Sequence, residues 1–196
     1  MSTPAKINFK LYQGSTFNET LRWESSVKSY KPITAITKSA PVVVTSVAHG
    51  IPVEWRVRFT NITGMTELNN SETYYSVTST TTNTLTINDI NSLGFKDYVS
   101  GGVIEFNTPI DLTGFTARMQ IRAKIDDDVI IKELTTSSGD IAVNNTTKTI
   151  TLTIPAYVTA AFTFSTAVYS LEMISSGGQV TTLCNGTITL VKEVTR

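Results

Sequence analysis

The sequence predicts an all-β protein: an antiparallel β-sandwich interrupted by an inserted small β-barrel, with at most one short helix near 155–164. Three observations predict it. Thr, Val and Ile dominate long stretches of the chain, and these β-branched residues are stiff at χ1 and fit a pleated surface. Apolar and polar residues alternate with a period of two, most clearly in Asp111–Ala123, where Phe115, Ala117, Met119 and Ile121 oppose Thr116, Arg118, Gln120 and Arg122. Turn-forming residues recur at short, regular intervals, the spacing of a sandwich.

Taken in order, Lys6–Tyr12 alternates Ile7, Phe9 and Leu11 with Lys6, Asn8 and Lys10. Gln13-Gly14 makes a turn, and Thr16–Trp23 alternates again with Phe17, Leu21 and Trp23 inward. The two runs read as a hairpin. Ser25–Pro32 is polar and ends in Lys31-Pro32, which marks a boundary. Residues 32–103 then read as a separate unit. Ile33–Thr37, Val42–Val47, Trp55–Thr60, Tyr74–Thr78 and Leu85–Ile87 are short strands. Between them lie the turn Ala48-His49-Gly50-Ile51-Pro52, the loop Gly64–Asn69 and the irregular return Ser92–Tyr98. Many short strands with frequent turns predict a small compact barrel. Ser100-Gly101-Gly102 ends it, so the sandwich comprises 1–31 plus 104–196.

The remainder resumes the sandwich. Asp126-Asp127-Asp128 forms a turn before the strand Val129–Leu134. Ile141–Val143 follows, then Thr149–Ile154 with Ile150, Leu152 and Ile154 inward. Pro155–Phe164 is the helical segment, because Pro155 suits a first helical position and Val158, Ala161 and Phe162 recur at helical spacing. Ala167–Ile174 alternates again. Gln179–Leu183 and Thr187–Val194 read as a final hairpin about Asn185-Gly186, a strong turn signal.

Composition narrows the function classes. Sixteen basic residues balance sixteen acidic ones, whereas nucleic-acid binders carry a basic excess; no nucleic-acid partner is expected. No membrane partner is expected either, since no apolar run approaches the ~18 residues of a spanning helix, and the first ten residues hold no apolar signal core. Cys184 is the single cysteine and His49 the single histidine, in different segments. They form no nucleophile–base pair, and no metal cluster or phosphate-cradling loop is evident. The expectation is a protein without enzymatic activity or cofactor.

Two resemblances rest on specific motifs. Gln13-Gly14-Ser15-Thr16-Phe17, Pro109–Phe115, Met119–Arg122, Val168–Met173 and Gly186–Val191 occur in an order that resembles small immunoglobulin-like sandwich proteins of tailed bacteriophages, including the N-terminal domain of baseplate upper proteins. Within the insertion, Ile33–Thr37, Pro41–Thr45, Ala48-His49-Gly50, Asn61–Asn69 and Tyr74-Tyr75-Ser76-Val77 are similar to the small barrel that phage structural proteins share with the first catalytic-cysteine half-domain of ubiquitin-activating enzymes. In that family the His-Gly pair and the Gly-Met-x-Glu-Leu-Asn loop are structural, so the resemblance implies no ubiquitin chemistry.

The resemblances imply a virion structural protein, a tail, neck or baseplate adaptor. It would dock on other virion proteins such as tail, neck, portal-proximal or fibre proteins, and on copies of itself in a homo-oligomeric ring. The alternative is a carbohydrate-binding attachment module or a head decoration protein, with Trp55, Tyr74 and Tyr75 as sugar platforms. Asp126, Asp127 and Asp128 are a further candidate contact; they lack the glycine and downstream glutamate of a calcium loop.

Overall fold

The computed structural model of the chain describes residues 3–70 and 72–194. Its elements in order are β1 (Ala5–Lys6), β2 (Phe9–Tyr12), β3 (Phe17–Leu21), β4 (Glu24–Pro32), β5 (Ala35–Ile36), β6 (Val42–Thr45), β7 (Arg56–Thr63), a 3-10 turn (Thr66–Leu68), β8 (Tyr75–Ser76), β9 (Ser79–Thr80), β10 (Thr84–Ile87) and β11 (Ser100–Pro109). Then follow β12 (Thr116–Arg122), β13 (Ile130–Thr135), β14 (Ile141–Asn144), β15 (Thr149–Ile154), α1 (Ala156–Ala160), β16 (Thr166–Ile174) and β17 (Val180–Val191). The fold is mostly β with one short helix, as the alternation predicts. No described helix is long and apolar enough to cross a membrane. The chain forms two compact units, Met1–Trp23 with Asp111–Arg196, and Glu24–Ile110.

The first unit holds a six-stranded sheet, ordered β1-β17-β16-β12-β13 with β2 also on β17, and a three-stranded sheet β14-β15-β3. Their apolar faces meet: Phe9 of β2 touches Phe17 of β3 edge-on at 5.4 Å and stacks on Tyr169 at 4.9 Å. The alternating residues Ala117, Met119 and Ile121, Ile150, Leu152 and Ile154, and Ala167, Tyr169, Leu171 and Met173 are all buried. α1 stands where the sequence places it. Pro155, however, precedes the first helical residue in an extended conformation (φ −61°, ψ 151°) rather than occupying it. Inside α1, the Thr159 hydroxyl is buried and donates to the Ser15 carbonyl at 2.8 Å.

Two hairpins expected here do not form. β2 pairs parallel with β17, Phe9 opposite Ile188, while β3 pairs antiparallel with β15, Phe17 opposite Ile154. Gln13-Gly14 therefore carries the chain from one sheet to the other. Both runs have an apolar face, and each buries it by facing the other across the sandwich. At the other end, Val180–Val191 is one continuous strand along β16 and does not reverse at Asn185-Gly186. Gly186 answers to packing: the Ile7 carbonyl oxygen occupies the place of its missing Cβ. Asn8 Oδ1 accepts from Thr187 N at 3.0 Å across the gap between β1 and β2. A close backbone approach, rather than a turn, requires the glycine here.

The second unit contains two four-stranded sheets, β5-β6-β10-β9 and β4-β11-β7-β8. The expected closed barrel is absent among the described residues. β5, β8 and β9 have two residues each, too short to carry a ladder from one sheet to the other. A shared core fills the unit, with Val42, Val44, Trp55, Val57, Phe59, Leu85, Ile87, Ile104 and Phe106 at its centre. Ser25–Pro32, expected as a boundary, lies within nine-residue strand β4, paired with β11 from Val103↔Pro32 to Pro109↔Glu24. Gly101 and Gly102, read as punctuation, lie inside β11.

Gly186→Ala is expected to cost about 1–3 kcal/mol by overpacking, read as a lower urea midpoint, because β17 and the β1–β2 segment must separate to admit the methyl. Gly186 is not among the glycines with positive φ, so the cost comes from the close approach alone, and an unchanged midpoint would contradict the packing account.

Candidate interaction site

The outward face of the β4-β11-β7-β8 sheet gathers charge and aromatic surface. Ile104 and Phe106 of β11 and Val57 and Phe59 of β7 point into the core. Their neighbours Glu105, Asn107, Arg56 and Arg58 therefore point outward. Register places Glu105 between Arg58 of β7 and Tyr30 of β4, and Asn107 opposite Lys28. Glu105 is only 5% exposed. Arg58 Nη2 donates to its Oε2 at 2.6 Å, and Lys28 Nζ lies 3.4 Å from its Oε1. Lys28 Nζ also donates to the Tyr74 hydroxyl at 2.6 Å. Lys28 Nζ and Arg58 Cζ lie 5.0 and 5.5 Å from the Tyr74 ring centre, a cation–π arrangement.

Beside this group, Arg56 Nη2 pairs with Glu24 Oε2 at 3.1 Å, and Asn107 Nδ2 donates to the same oxygen at 2.7 Å. Glu24, Lys28, Arg56, Tyr74 and Asn107 line a cleft of about 170 Å³. Burial pushes the Glu105 carboxyl up, but hydrogen bonds from Arg58 and Lys28 and their charges more than offset this. The net shift is below the ordinary glutamate value. The Tyr74 hydrogen bond, aided by Glu105, raises Lys28 above its ordinary value. The arrangement presents a charged, aromatic surface tied together by ion pairs and hydrogen bonds.

The candidate residues read from sequence fall in different places. Trp55 lies in the core, 1% exposed, its indole N–H donating to the Asn107 carbonyl at 2.8 Å. Tyr75 is half-buried and stacks on Phe59 at 6.0 Å. Tyr74 stands in the charged cluster. Asp126, Asp127 and Asp128 sit in the other unit, in the turn between β12 and β13. Asp126 and Asp128 are exposed, whereas Asp127 Oδ1 accepts from Val129 N at 3.1 Å and its carbonyl accepts from Arg122. No three His, Cys, Asp or Glu side chains among the described residues cluster to hold a metal. Sequence reading missed Lys28, Arg58 and Glu105. The available signal was a lone carboxylate inside the apolar run Val103–Phe106.

The motif residues of this unit serve its own backbone. His49 Nδ1 accepts from Ile51 N at 3.0 Å, so its Nε2–H donates to the Thr84 carbonyl at 3.1 Å. The Asn69 amide binds both N and O of Ile62 at 2.8 Å each, in the manner of a strand partner. Met65 and Leu68 are buried beneath it. In the sandwich unit, Cys184 is buried and its thiol is pushed up by that burial, the reverse of an activated nucleophile.

Because the folded Glu105 carboxyl is depressed, its contribution to stability is complete above the ordinary glutamate value of about 4.3. It is lost as pH falls through the lowered folded value. Glu105→Gln is expected to lower the thermal midpoint at neutral pH and to flatten its decline below about pH 4, measured by calorimetry across pH. Parallel acid profiles for the two proteins would contradict the assignment.

Residues 40–106 match the family model of the ubiquitin-activating enzyme E1 FCCH domain. The match spans β6 to most of β11 and includes His49, the Gly64–Asn69 loop and Glu105. No curated protein matches the chain.

Proposed function

We propose that this chain is a non-enzymatic structural protein of a tailed-bacteriophage virion, an adaptor of the tail, neck or baseplate that docks on symmetric neighbours. The observation that carries the reading is the combination of a β-sandwich bearing phage-like flank motifs with an inserted unit that matches the E1 FCCH family model. The mechanism is passive. Each unit has its own buried core, so loops and sheet edges are free to serve as contacts without catalytic machinery. β4, a nine-residue strand at the edge of its sheet with Val27 and Tyr30 well exposed, offers unpaired backbone groups to a neighbouring strand. The motifs within the matched segment brace backbone, which suits a scaffold that presents surfaces. Copies arranged in a ring would repeat those surfaces around the tail axis.

The test is localisation and stoichiometry. Virions of the source phage are purified, tails are separated from heads, and the chain is quantified by mass spectrometry against portal and major capsid protein. The expected result is co-fractionation with tails at a fixed whole-number ratio to portal. Enrichment with heads at a ratio near that of capsid protein would replace the adaptor with a decoration protein. Absence from both fractions would overturn the reading.

A further inference from the structure

The sandwich unit carries a second surface that the adaptor reading does not use. An open cleft of about 450 Å³ lies on its six-stranded sheet, lined among others by Lys6, Gln120, Arg122, Ile125, Val168 and Thr187. No acidic side chain lines it. Lys6 is exposed, and its ammonium makes no hydrogen bond or ion pair among the described residues. The Arg122 guanidinium is held by neutral oxygens, the Asp127 carbonyl and Gln120 Oε1 at 2.8 Å. The cleft therefore has two cations without a carboxylate partner beside an apolar wall. Its complement is a short segment with both carboxylates and exposed aliphatic side chains.

The chain itself has such a segment. The turn from β12 to β13 presents exposed Asp126 and Asp128 between Ile125, 82% exposed, and Val129, 69% exposed. Asp127 braces the turn from within. We propose that the occupant of the cleft is this tip, Ile125–Val129, from a second copy of the chain. Ile125 also borders the cleft of its own copy, so the donor tip and the acceptor cleft lie side by side. A two-fold axis through that border lets each copy insert its tip into the other, the isologous arrangement of a symmetric dimer. Asp126 and Asp128 of one copy meet Lys6 and Arg122 of the other. Ile125 and Val129 bury against the Val168 wall. This contact is distinct from the sheet edges proposed above, and it rests on the geometry of the sandwich unit whatever the virion location of the chain.

The test is sedimentation equilibrium of the full-length protein from micromolar to millimolar concentration, at low and high salt. A monomer–dimer equilibrium that weakens with added salt is expected. Lys6→Glu and the double variant Asp126→Lys/Asp128→Lys should each weaken self-association roughly tenfold or more. An equimolar mixture of the two variants should associate more strongly than either alone, because the intact acidic tip of one meets the intact basic cleft of the other. All three substituted positions are exposed, and circular dichroism checks that each variant is folded. A monomer throughout this range would overturn the proposal. So would a dimer indifferent to either variant, or variants whose mixture shows no gain.

Discussion

The pairing of β4 with β11 is the constraint on which the architecture depends. These strands carry the chain into and out of the inserted unit, and they run antiparallel from Val103↔Pro32 to Pro109↔Glu24. Glu24 and Pro109 thus end within one strand spacing of each other. The sandwich chain leaves at Trp23 and resumes at Asp111 with its two ends already brought together, so the insertion imposes on it little more than a short loop would. Near its base, where the register shifts, the Thr108 hydroxyl donates to the Val27 carbonyl at 3.0 Å and supplies a bond the irregular ladder omits. Trp55 is bound to the Asn107 carbonyl, which ties the stem to the core of the inserted unit.

The same stem organises the charged face. Glu105 can be nearly buried because β7 and β4 bring a cation to it from each side, and a buried carboxylate without partners would be costly. Tyr74 then fills the space above Lys28 and Arg58. Asn107 uses its carbonyl for Trp55 and its amide for Glu24. One strand therefore sets the core on one side and the polar network on the other. This follows from the period-two alternation of β11, in which Ile104 and Phe106 face inward while Glu105 and Asn107 face outward.

What was legible in the sequence was local. β12, β15 and β16 announce themselves because each has one buried and one open face, and their inward residues are those the alternation selects. The short helix was legible from Pro155 and the apolar spacing after it. Strand partners were not legible. Lys6–Tyr12 and Thr16–Trp23 look like a hairpin in isolation, and only the competing β15 and β17 ladders separate them. Asn185-Gly186 carries a strong local turn signal that a long-range contact with Ile7 overrides. Ser25–Pro32 reads as a polar boundary because β4 is an edge strand whose side chains meet solvent and the polar network. Tyr74 was visible as a surface aromatic. Its partners Arg58 and Glu105 were not, because their meeting depends on the register between β7 and β11.

The most direct test of this account is to express residues 24–110 alone and follow their unfolding by NMR and circular dichroism. If the stem closes the unit and its core is its own, the fragment will give dispersed amide resonances and a cooperative thermal transition. A fragment that stays unfolded under conditions where the full chain folds would contradict the claim that β4 and β11 make the insertion a self-contained fold.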